Sequence, residues 1–254
     1  MNYALITGAS SGIGYELALL FAKNGHNLIL VARQKNKLQQ LADELKNNHQ
    51  VETLVIPLDL SRTDAASEIF EQLQAKSIHV DYLVNNAGFY VKGTFSETSW
   101  KEEQKLIQLQ CLNYTQLTKL FLPAMLNQRA GGILNIGSTG SFVPGPYNAV
   151  YCAAKSFVLS FSEAVAEEVS GSGVNITALC PGGTNTNFHK FNERKSSIFF
   201  PMMKASKVAK SGYKALMQGK RVVVPGVSNK IQVFLLRFIP GKLVSKLAGF
   251  IVTK

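Results

Sequence analysis

The chain has 254 residues, of which 46% are hydrophobic and 17% charged, and this is ample for one globular core. Its three cysteines, Cys111, Cys152 and Cys180, form no Cys-x-x-Cys pair and no cluster with histidine, so the sequence predicts no metal site and no disulfide framework. The net charge of +11 is uneven, because residues 1–188 hold 13 basic and 15 acidic residues and residues 189–254 hold 14 basic residues and one acid. Such asymmetry points to an anionic partner.

Short apolar runs alternate along the chain with longer helical patterns. Strands are predicted at 3–7, 27–32, 51–56, 80–85, 132–137, 174–180 and 221–224, and helices at about 14–24, 35–47, 62–76, 99–127, 151–170 and 205–218. Most strand candidates are almost continuously apolar, which is typical of strands covered on both faces. We therefore expect a single doubly wound Rossmann-type α/β domain over residues 1–254, with a seven-stranded parallel sheet and helices on both faces. Because the N-terminus leads straight into a strand, we expect no secretory signal and a cytoplasmic location.

A glycine-rich loop follows the first strand and opens the first helix. Its spacing is Gly-x-x-x-Gly-x-Gly, which differs from the commoner Gly-x-Gly-x-x-Gly dinucleotide fingerprint. Glycines let a phosphate approach the main chain, and the helix N-terminus offers it N–H groups. The position of the loop favours a dinucleotide site, with candidate contacts at Gly8, Ser10, Ser11, Gly12, Ile13 and Gly14.

Arg33 follows the last residue of the second strand. An acid at this place would suit the ribose hydroxyls of NAD, whereas an arginine suits the 2′-phosphate of NADP. Lys35 and Lys37 follow closely. The other interpretation is a set of solvated charges at a helix start, but we favour NADP(H) over NAD(H) as the cofactor.

Tyr151 and Lys155 are four residues apart, so a helix would place both side chains on one face. A phenol has a pKa near ~10 and is poorly matched to proton transfer at neutral pH unless a nearby cation lowers that pKa. A shift of ~3 units needs roughly 4 kcal/mol of differential stabilisation, which one lysine seldom supplies alone. We therefore expect a cationic cofactor to share the task. By itself, the pair would more often be a solvated helix face.

Five segments occur together in the order and spacing of a known family: Thr7–Gly14, Asn85–Gly88, Ser138, Tyr151-x-x-x-Lys155 and Pro181-Gly182. Over most of residues 1–190 the chain resembles the classical short-chain dehydrogenases/reductases. The resemblance implies an NAD(P)-dependent oxidoreductase that interconverts a ketone and a secondary alcohol. Tyr151 would be the general acid or base, Lys155 would hold the nicotinamide ribose and lower the tyrosine pKa, and Ser138 would bind the substrate oxygen.

The same resemblance implies further cofactor contacts. Asp59 would reach the adenine, Asn85 would border the adenosine side, and Thr186 would approach the carboxamide together with the Pro181-Gly182 turn. The remaining contacts implied by these motifs are Leu60, Ala87, Gly88 and Thr184.

One position departs from the family pattern. Members usually carry an asparagine on the fourth helix that completes a proton relay near the lysine, and here alignment puts Gln110 at that place. Asn113 lies three residues further on, almost one helical turn away. Either Gln110 replaces the asparagine, or Asn113 takes over through a local helix distortion, or neither has a role.

The last quarter of the chain, residues 189–254, is expected to form a substrate lid and a basic amphipathic C-terminal segment. Residues 190–204 carry the apolar side chains of such a lid, which would suit an apolar or lipid-like substrate, although plain packing explains them equally well: Phe191, Phe199, Phe200, Met202 and Met203. The tail is interrupted by charges and by Pro240-Gly241, so it predicts two short amphipathic helices and no transmembrane span.

Three interpretations of the tail at 229–254 remain. The one we favour is that its apolar faces pack on the body or on another subunit. The others are that it rests on an anionic membrane, or that the basic segment recruits an acidic substrate carrier. No nucleic-acid-binding module is recognisable. The family resemblance implies a small carbonyl or alcohol substrate and a homodimer or homotetramer. The alternative function is a non-catalytic dinucleotide-binding redox sensor or membrane-associated scaffold.

Overall fold

Seven parallel strands form the central sheet of the computed structural model, which describes residues 2–186 and 202–253. The described residues form nine strands, of which all but β7 and β8 belong to this sheet: β1 Tyr3–Thr7, β2 Asn27–Ala32, β3 Thr53–Pro57, β4 Val80–Asn85, β5 Gly132–Ile136, β6 Asn175–Leu179, β7 Thr184–Asn185, β8 Met203–Lys204 and β9 Val222–Val223. The sheet order is β3-β2-β1-β4-β5-β6-β9, and β7 pairs with β8 in a separate parallel ladder. The predicted doubly wound, seven-stranded parallel sheet is confirmed.

Helices cover both faces of this sheet. They are α1 Gly12–Lys23, α2 Lys35–His49, α3 Ala65–Ala75, α4 Trp100–Ile107, α5 Tyr114–Gln128, α6 Ala149–Glu168, α7 Ala205–Met217, α8 Val227–Leu236 and α9 Gly241–Thr253. A π-helical segment, Gln108–Asn113, joins α4 to α5, and a 3₁₀ turn, Thr139–Phe142, precedes α6. The helix predicted without interruption over 99–127 is therefore distorted in its middle, and the last sheet strand is shorter than the predicted 221–224.

Alternate residues of the inner strands enter two different cores. Ile6 and Leu30 pack with α1, α2 and α7, whereas Leu5 and Ile29 pack with α3, α5 and the C-terminal part of α6. Both sets are fully buried, which is why these strands are apolar at nearly every position.

Helix α6 is also the only helix, among the described residues, that is long and apolar enough to cross a membrane by length and composition. It packs on β6, and its Val158, Leu159 and Lys155 are buried there. This packing accounts for the buried 39% of its most apolar stretch.

The chain direction places a binding edge at the centre of the sheet. After β1 the chain moves outward through β2 and β3, then crosses back to pair β4 with the other side of β1. In sheets of this kind, ligands bind beyond the carboxyl ends of the strands where the order reverses. The loops after β1, β4 and β5 meet at this edge.

Candidate active site

The loop after β1 is shaped so that only glycine fits at two of its positions. Gly8 has φ +68°, and a Cβ atom there would lie 2.7 Å from Asn86 Nδ2. Gly12 has φ +62°, and its Cβ would lie 3.0 Å from Thr186 Cγ2. These conformations bring the main chain close to the surface that a phosphate would approach.

The first turn of α1 adds hydrogen-bond donors to the surface formed by the loop after β1. Ser11 precedes the first helical residue in extended conformation, and its side chain makes no capping hydrogen bond to the helix. The N–H groups of the first turn therefore remain available to an anion. Ser10, Ser11 and Ile13 are half-buried around this turn, and Thr186 covers Gly12 from the other side. The donor set fits the pyrophosphate of a dinucleotide.

The glycine loop is held by hydrogen bonds between Thr7 and the segment Asn86-Ala87, which we call the clamp and which the sequence did not predict. Thr7 Oγ1 donates to the Val84 carbonyl at 3.0 Å and accepts from the N–H groups of Asn86 and Ala87. The Asn86 amide in turn donates to the Thr7 carbonyl at 2.8 Å and to the Gly8 carbonyl at 3.3 Å. The Asn85–Gly88 segment thus fixes the glycine loop through Asn86, whose place in the motif was its only sequence signal.

The predicted residues on the adenosine side are spread over two loops. Arg33 is exposed at the end of β2, and Asp59 is exposed after β3. Partial burial acts to raise the pKa of Asp59, but hydrogen bonds from the Ser61 N–H and hydroxyl, with Arg33 and Lys105 nearby, bring it below its usual value. Asp59 is therefore ionised at neutral pH and electrostatically linked to Arg33.

Asn85 lies deeper than expected for a residue that contacts cofactor. It is fully buried, and its amide nitrogen donates to Asn135 Oδ1 at 2.9 Å and to Thr118 Oγ1 at 3.4 Å. Asn135 then donates to Ser162 on α6. In the structure this side chain ties β4 to β5 and α6, and its predicted contact with the adenosine side stays a prediction.

The predicted pair Tyr151 and Lys155 lies on the first turns of α6, facing the edge of the sheet. Lys155 is 3% exposed, and its Nζ donates to the Ile136 carbonyl at 2.7 Å. The same Nζ lies 5.8 Å from the centroid of the Tyr151 ring. Burial lowers the pKa of Lys155 to about 8, and the nearby Cys180 and Cys111 thiols oppose this shift. An ammonium has three donors, so two more bonds can reach a bound ribose.

Ser138 is held against the same helix by a chain of hydrogen bonds. Its Oγ accepts from Gly140 N at 3.0 Å, and its N–H donates to Ser141 Oγ at 3.2 Å. Ser141 Oγ donates to the Lys155 carbonyl at 2.8 Å, and Ser156 Oγ donates to the Ser141 carbonyl at 2.9 Å. The Ser138 hydroxyl acts as an acceptor in this bond, which leaves its proton available, and its loop is fixed relative to helix α6.

Comparison with known proteins identifies this arrangement. The family model described as short chain dehydrogenase matches residues 2–197. The chain belongs to this family. The glycine loop and its clamp fit the dinucleotide cofactor that was predicted from the sequence.

Relatives and solved structures agree with this membership. The ketoacyl reductase HetN of Nostoc sp. is 34% identical over 178 residues, which cover 70% of this chain and 62% of that protein. The very-long-chain 3-oxoacyl-CoA reductase of Homo sapiens is 30% identical, covering 100% of this chain and 78% of the relative. A short-chain dehydrogenase from Sphingobium yanoikuyae, solved with NADPH, superposes with a TM-score of 0.83 at 29% identity over 94% of this chain and 96% of that chain. The chain spans less than two thirds of the length of several curated relatives that it matches, such as the Nostoc protein at 62% and the very-long-chain 3-oxoacyl-CoA reductase of Coccidioides immitis at 59%.

The departure from the family pattern at Gln110 lies in the π-helical segment. Gln110 is fully buried, and its Nε2 donates to the Phe89 carbonyl at 2.6 Å, while its Oε1 has no hydrogen-bond partner within the described part of the chain. Asn113 is also buried, but its amide donates to the Leu60 carbonyl at 3.2 Å, on the adenosine side. The distortion allowed by the sequence is present, and it turns the two amides toward different loops. Only Gln110 points toward the loop after β4.

Tyr114, which sequence analysis did not single out, lies beside the candidate catalytic lysine. Its ring is 1% exposed, and Lys155 Nζ lies 5.7 Å from the ring centroid. Its hydroxyl donates to the Ala87 carbonyl at 2.9 Å, and burial raises its pKa well above the usual value, so it stays protonated. Tyr90 is a second unassigned aromatic residue, with its ring 5.9 Å from that of Tyr151.

The turn after β6 joins the site to the C-terminal helices. The Pro181 carbonyl accepts from Thr139 N at 2.8 Å, and Thr184 Oγ1 donates to the Gly182 carbonyl at 3.0 Å. A Cβ atom on Gly182 would lie 2.5 Å from Oδ1 of Asn229 on α8. Of the predicted lid side chains, Met202 and Met203 are described, whereas Phe191, Phe199 and Phe200 lie outside the described residues.

Proposed function

We propose that this protein is an NADP(H)-dependent reductase of ketone carbonyls on apolar, lipid-like substrates, with 3-oxoacyl thioesters as the preferred class. The observation that carries the reaction is the buried Lys155 ammonium next to the Tyr151 ring on α6, with the Ser138 loop bonded to the same helix. The substrate class is supported by the 3-oxoacyl-CoA and ketoacyl reductases among the relatives and by the apolar residues predicted for the lid.

The site residues divide the work of carbonyl reduction. A nicotinamide cofactor held by Lys155 and the Pro181-Gly182 turn would supply the hydride that the carbonyl carbon receives. Ser138 donates a hydrogen bond to the carbonyl oxygen, and Tyr151 gives that oxygen its proton. Lys155 stabilises the phenolate that remains, because its ammonium lies near the Tyr151 ring in a site with little water. In alcohol oxidation the same groups act in reverse.

The preference for NADP(H) is assigned to Arg33. Its exposed guanidinium lies at the end of β2, where the 2′-substituent of the adenosine ribose would be bound, and Lys35 and Lys37 add positive charge. Asp59, also nearby, would instead contact the adenine. The NADPH held by the Sphingobium relative supports this choice.

The direct test follows NADPH oxidation by the purified protein with ketones, including 3-oxoacyl-CoA esters of increasing chain length. Tyr151→Phe should lower kcat by roughly 10²–10⁴-fold, because it removes the proton donor, and should leave NADPH binding near that of the wild type. Tyr3→Phe is the matched control, since it removes a hydroxyl that bonds Glu52 at the opposite edge of the sheet. Full turnover by Tyr151→Phe would refute the assignment. Tight NADPH binding without turnover on any substrate would favour the non-catalytic sensor or scaffold.

Two further proposals concern where and with what the enzyme works. We propose a cytoplasmic enzyme attached peripherally to a membrane, which suits a lipid-like substrate and a basic C-terminal segment. We also propose a homodimer or homotetramer that buries exposed apolar residues of the α4–α5 and α6 helices, namely Trp100, Leu112 and Phe157. Size-exclusion chromatography with light scattering on the purified protein tests the proposed oligomer, and a monomer at micromolar concentration would contradict it.

A further inference from the structure

Each of the two C-terminal helices exposes a stripe of apolar side chains. Eight of the thirteen exposed large apolar residues that the structure describes belong to these two stripes, which together we call the C-terminal face: Val227, Ile231, Phe234, Leu235, Phe238, Leu243, Leu247 and Phe250. Those of α8 and its following turn recur at helical spacing on one side, and those of α9 do the same. The opposite sides of the helices hold the buried Asn229, Val233 and Val244. The body is therefore contacted by a different side of each helix.

Packing on the body, one of the two placements in the interpretation favoured from sequence, does not account for the C-terminal face. Phe238 is 71% exposed and Phe234 is 58% exposed, even though their rings contact one another. An exposed apolar surface of this extent normally marks an interaction site. The apolar side chains of α8 and α9 are placed for a partner outside the described part of the chain.

The charge around the C-terminal face selects the partner. Residues 227–254 contain no acid and five basic residues, which are Lys230, Arg237, Lys242, Lys246 and Lys254. On a helical wheel, Lys230 and Arg237 flank the α8 stripe, and Lys242 and Lys246 flank the α9 stripe on the corresponding side. The four ion pairs that the described residues form all lie elsewhere in the fold.

We propose that the C-terminal face docks on an anionic lipid bilayer, with the apolar stripes in the interface and the basic residues against lipid headgroups. Amphipathic helices with lysine-rich flanks and large apolar side chains bind membranes in this orientation. A second copy of this chain fits less well, because pairing two such faces would bring their basic residues together with no acid to offset them. Lysine is also depleted in protein interfaces, which disfavours a protein partner.

The attachment points of α8 and α9 place this surface next to the candidate active site. Asn229 contacts Gly182 in the turn after β6, and α8 contacts the 3₁₀ turn that follows Ser138. A Cβ on Gly249 of α9 would lie 3.4 Å from Pro146 in the loop before the catalytic helix. Both helices therefore adjoin segments of the site, and docking would bring the site close to lipid-dissolved substrate. Docking of this face rests on the proposed membrane attachment, which it deepens, and it does not depend on the proposed reaction.

Co-sedimentation of the full-length protein with vesicles tests the proposal without reference to turnover. We expect binding to phosphatidylcholine vesicles that contain phosphatidylglycerol, and binding weaker by roughly tenfold or more on phosphatidylcholine alone. Added salt should weaken the first interaction. Phe234→Ser with Phe238→Ser should reduce binding by about 100-fold, because two large apolar side chains are lost from the interface.

Matched variants separate this surface from general charge and apolarity. Lys242→Glu with Lys246→Glu should weaken binding to anionic vesicles by roughly tenfold or more. Lys76→Glu with Lys119→Glu makes the same charge change at exposed residues of the body, and Phe95→Ser removes another exposed aromatic ring, so these should bind as the wild type does. Equal binding to neutral and anionic vesicles, or no binding, would overturn the proposal. So would a loss of self-association in Phe234→Ser with Phe238→Ser, since the face would then join copies of the chain.

Discussion

At the scale of single residues, the positive charge of Lys155 depends on an aromatic neighbour. The pKa of Lys155 is shifted by its burial and by the Cys180 and Cys111 thiols, and no carboxylate contributes. The faces of Tyr114 and Tyr151 lie within 6 Å of Nζ, close enough for a cation–π interaction. Because Tyr151 is the proposed proton donor, Tyr114 is the group that can stabilise the ammonium throughout the reaction.

Substitution of Tyr114 should separate its ring from its hydroxyl. Tyr114→Leu removes a desolvated cation–π contact worth about 2 kcal/mol or less, so the pKa of Lys155 should fall and the alkaline limb of kcat/KM should move to lower pH by about one unit. Tyr114→Phe keeps the ring and should keep the wild-type profile while losing the bond to Ala87. NADPH binding by both variants controls for folding. Identical pH profiles for Tyr114→Leu and the wild type would refute this role.

At the scale of elements, the π-helical segment Gln108–Asn113 decides which polar side chains enter the site. Gln110 and Asn113 are buried on this stretch and Tyr114 is buried directly after it, and each bonds to a carbonyl of a different residue, Phe89, Leu60 and Ala87 respectively. Gln110 Oε1 and Asn113 Oδ1 are both buried acceptors that have no partner among the described residues. Such an atom costs about 1–3 kcal/mol unless water or a ligand satisfies it. Of the two amides, that of Gln110 bonds the loop after β4, and this place suits a relay water.

The relay hypothesis therefore falls on Gln110 and not on Asn113. Gln110→Ala should slow turnover several-fold, with little change in NADPH affinity, because it removes the acceptor without touching the glycine loop. Asn113→Ala should leave kcat nearly unchanged and weaken cofactor binding, because it frees the loop at Leu60. Single-turnover rates and NADPH titration distinguish the two effects. If neither variant slows turnover several-fold, no proton relay runs through this helix.

The same elements show how far the sequence could predict the fold and the site. The inner strands were found because packing on two faces requires apolar residues at every position, as in Leu5 and Ile6. The predicted residues Ser138, Tyr151 and Lys155 are brought together because their motifs lie at the ends of neighbouring elements. The π-helix was not predicted as such, since apolar periodicity over one helix does not report which carbonyl each N–H bonds.

Contacts between distant segments were also beyond the sequence. Tyr114 reaches Lys155, Asn86 reaches the glycine loop and Asn229 reaches Gly182 only after the sheet order and helix angles are fixed. The partner of the tail could not be assigned from the sequence for a related reason. Amphipathic periodicity identified the apolar stripes of α8 and α9, but periodicity does not say whether a stripe faces the body or the outside.

At the scale of the whole molecule, the buried lysine should be visible in the free energy of unfolding. The pKa of Lys155 is about 8 in the folded protein against 10.5 for an ordinary lysine. Below about pH 8 both states hold the proton, and the folded state bears the full cost of burying a charge. Between the two pKa values the unfolded chain still holds a proton that the folded protein has lost. The contribution of Lys155 to the free energy of unfolding therefore rises with pH between these two pKa values, by roughly 3 kcal/mol in all.

Lys155→Met isolates this contribution from other groups that titrate in the same range. Burial raises the pKa of Cys180 to about 12, so its unfolded thiol ionises first and stability falls with rising pH above its ordinary value of 9.0. That opposing effect is present in both proteins and largely cancels in their difference. The measurement is urea unfolding without NADPH. The free energy of unfolding of the wild type, relative to that of Lys155→Met, should rise by roughly 3 kcal/mol from about pH 7 to about pH 10.5. A constant difference across this range would mean that Lys155 keeps an ordinary pKa, and that the cost of its burial is offset within the site.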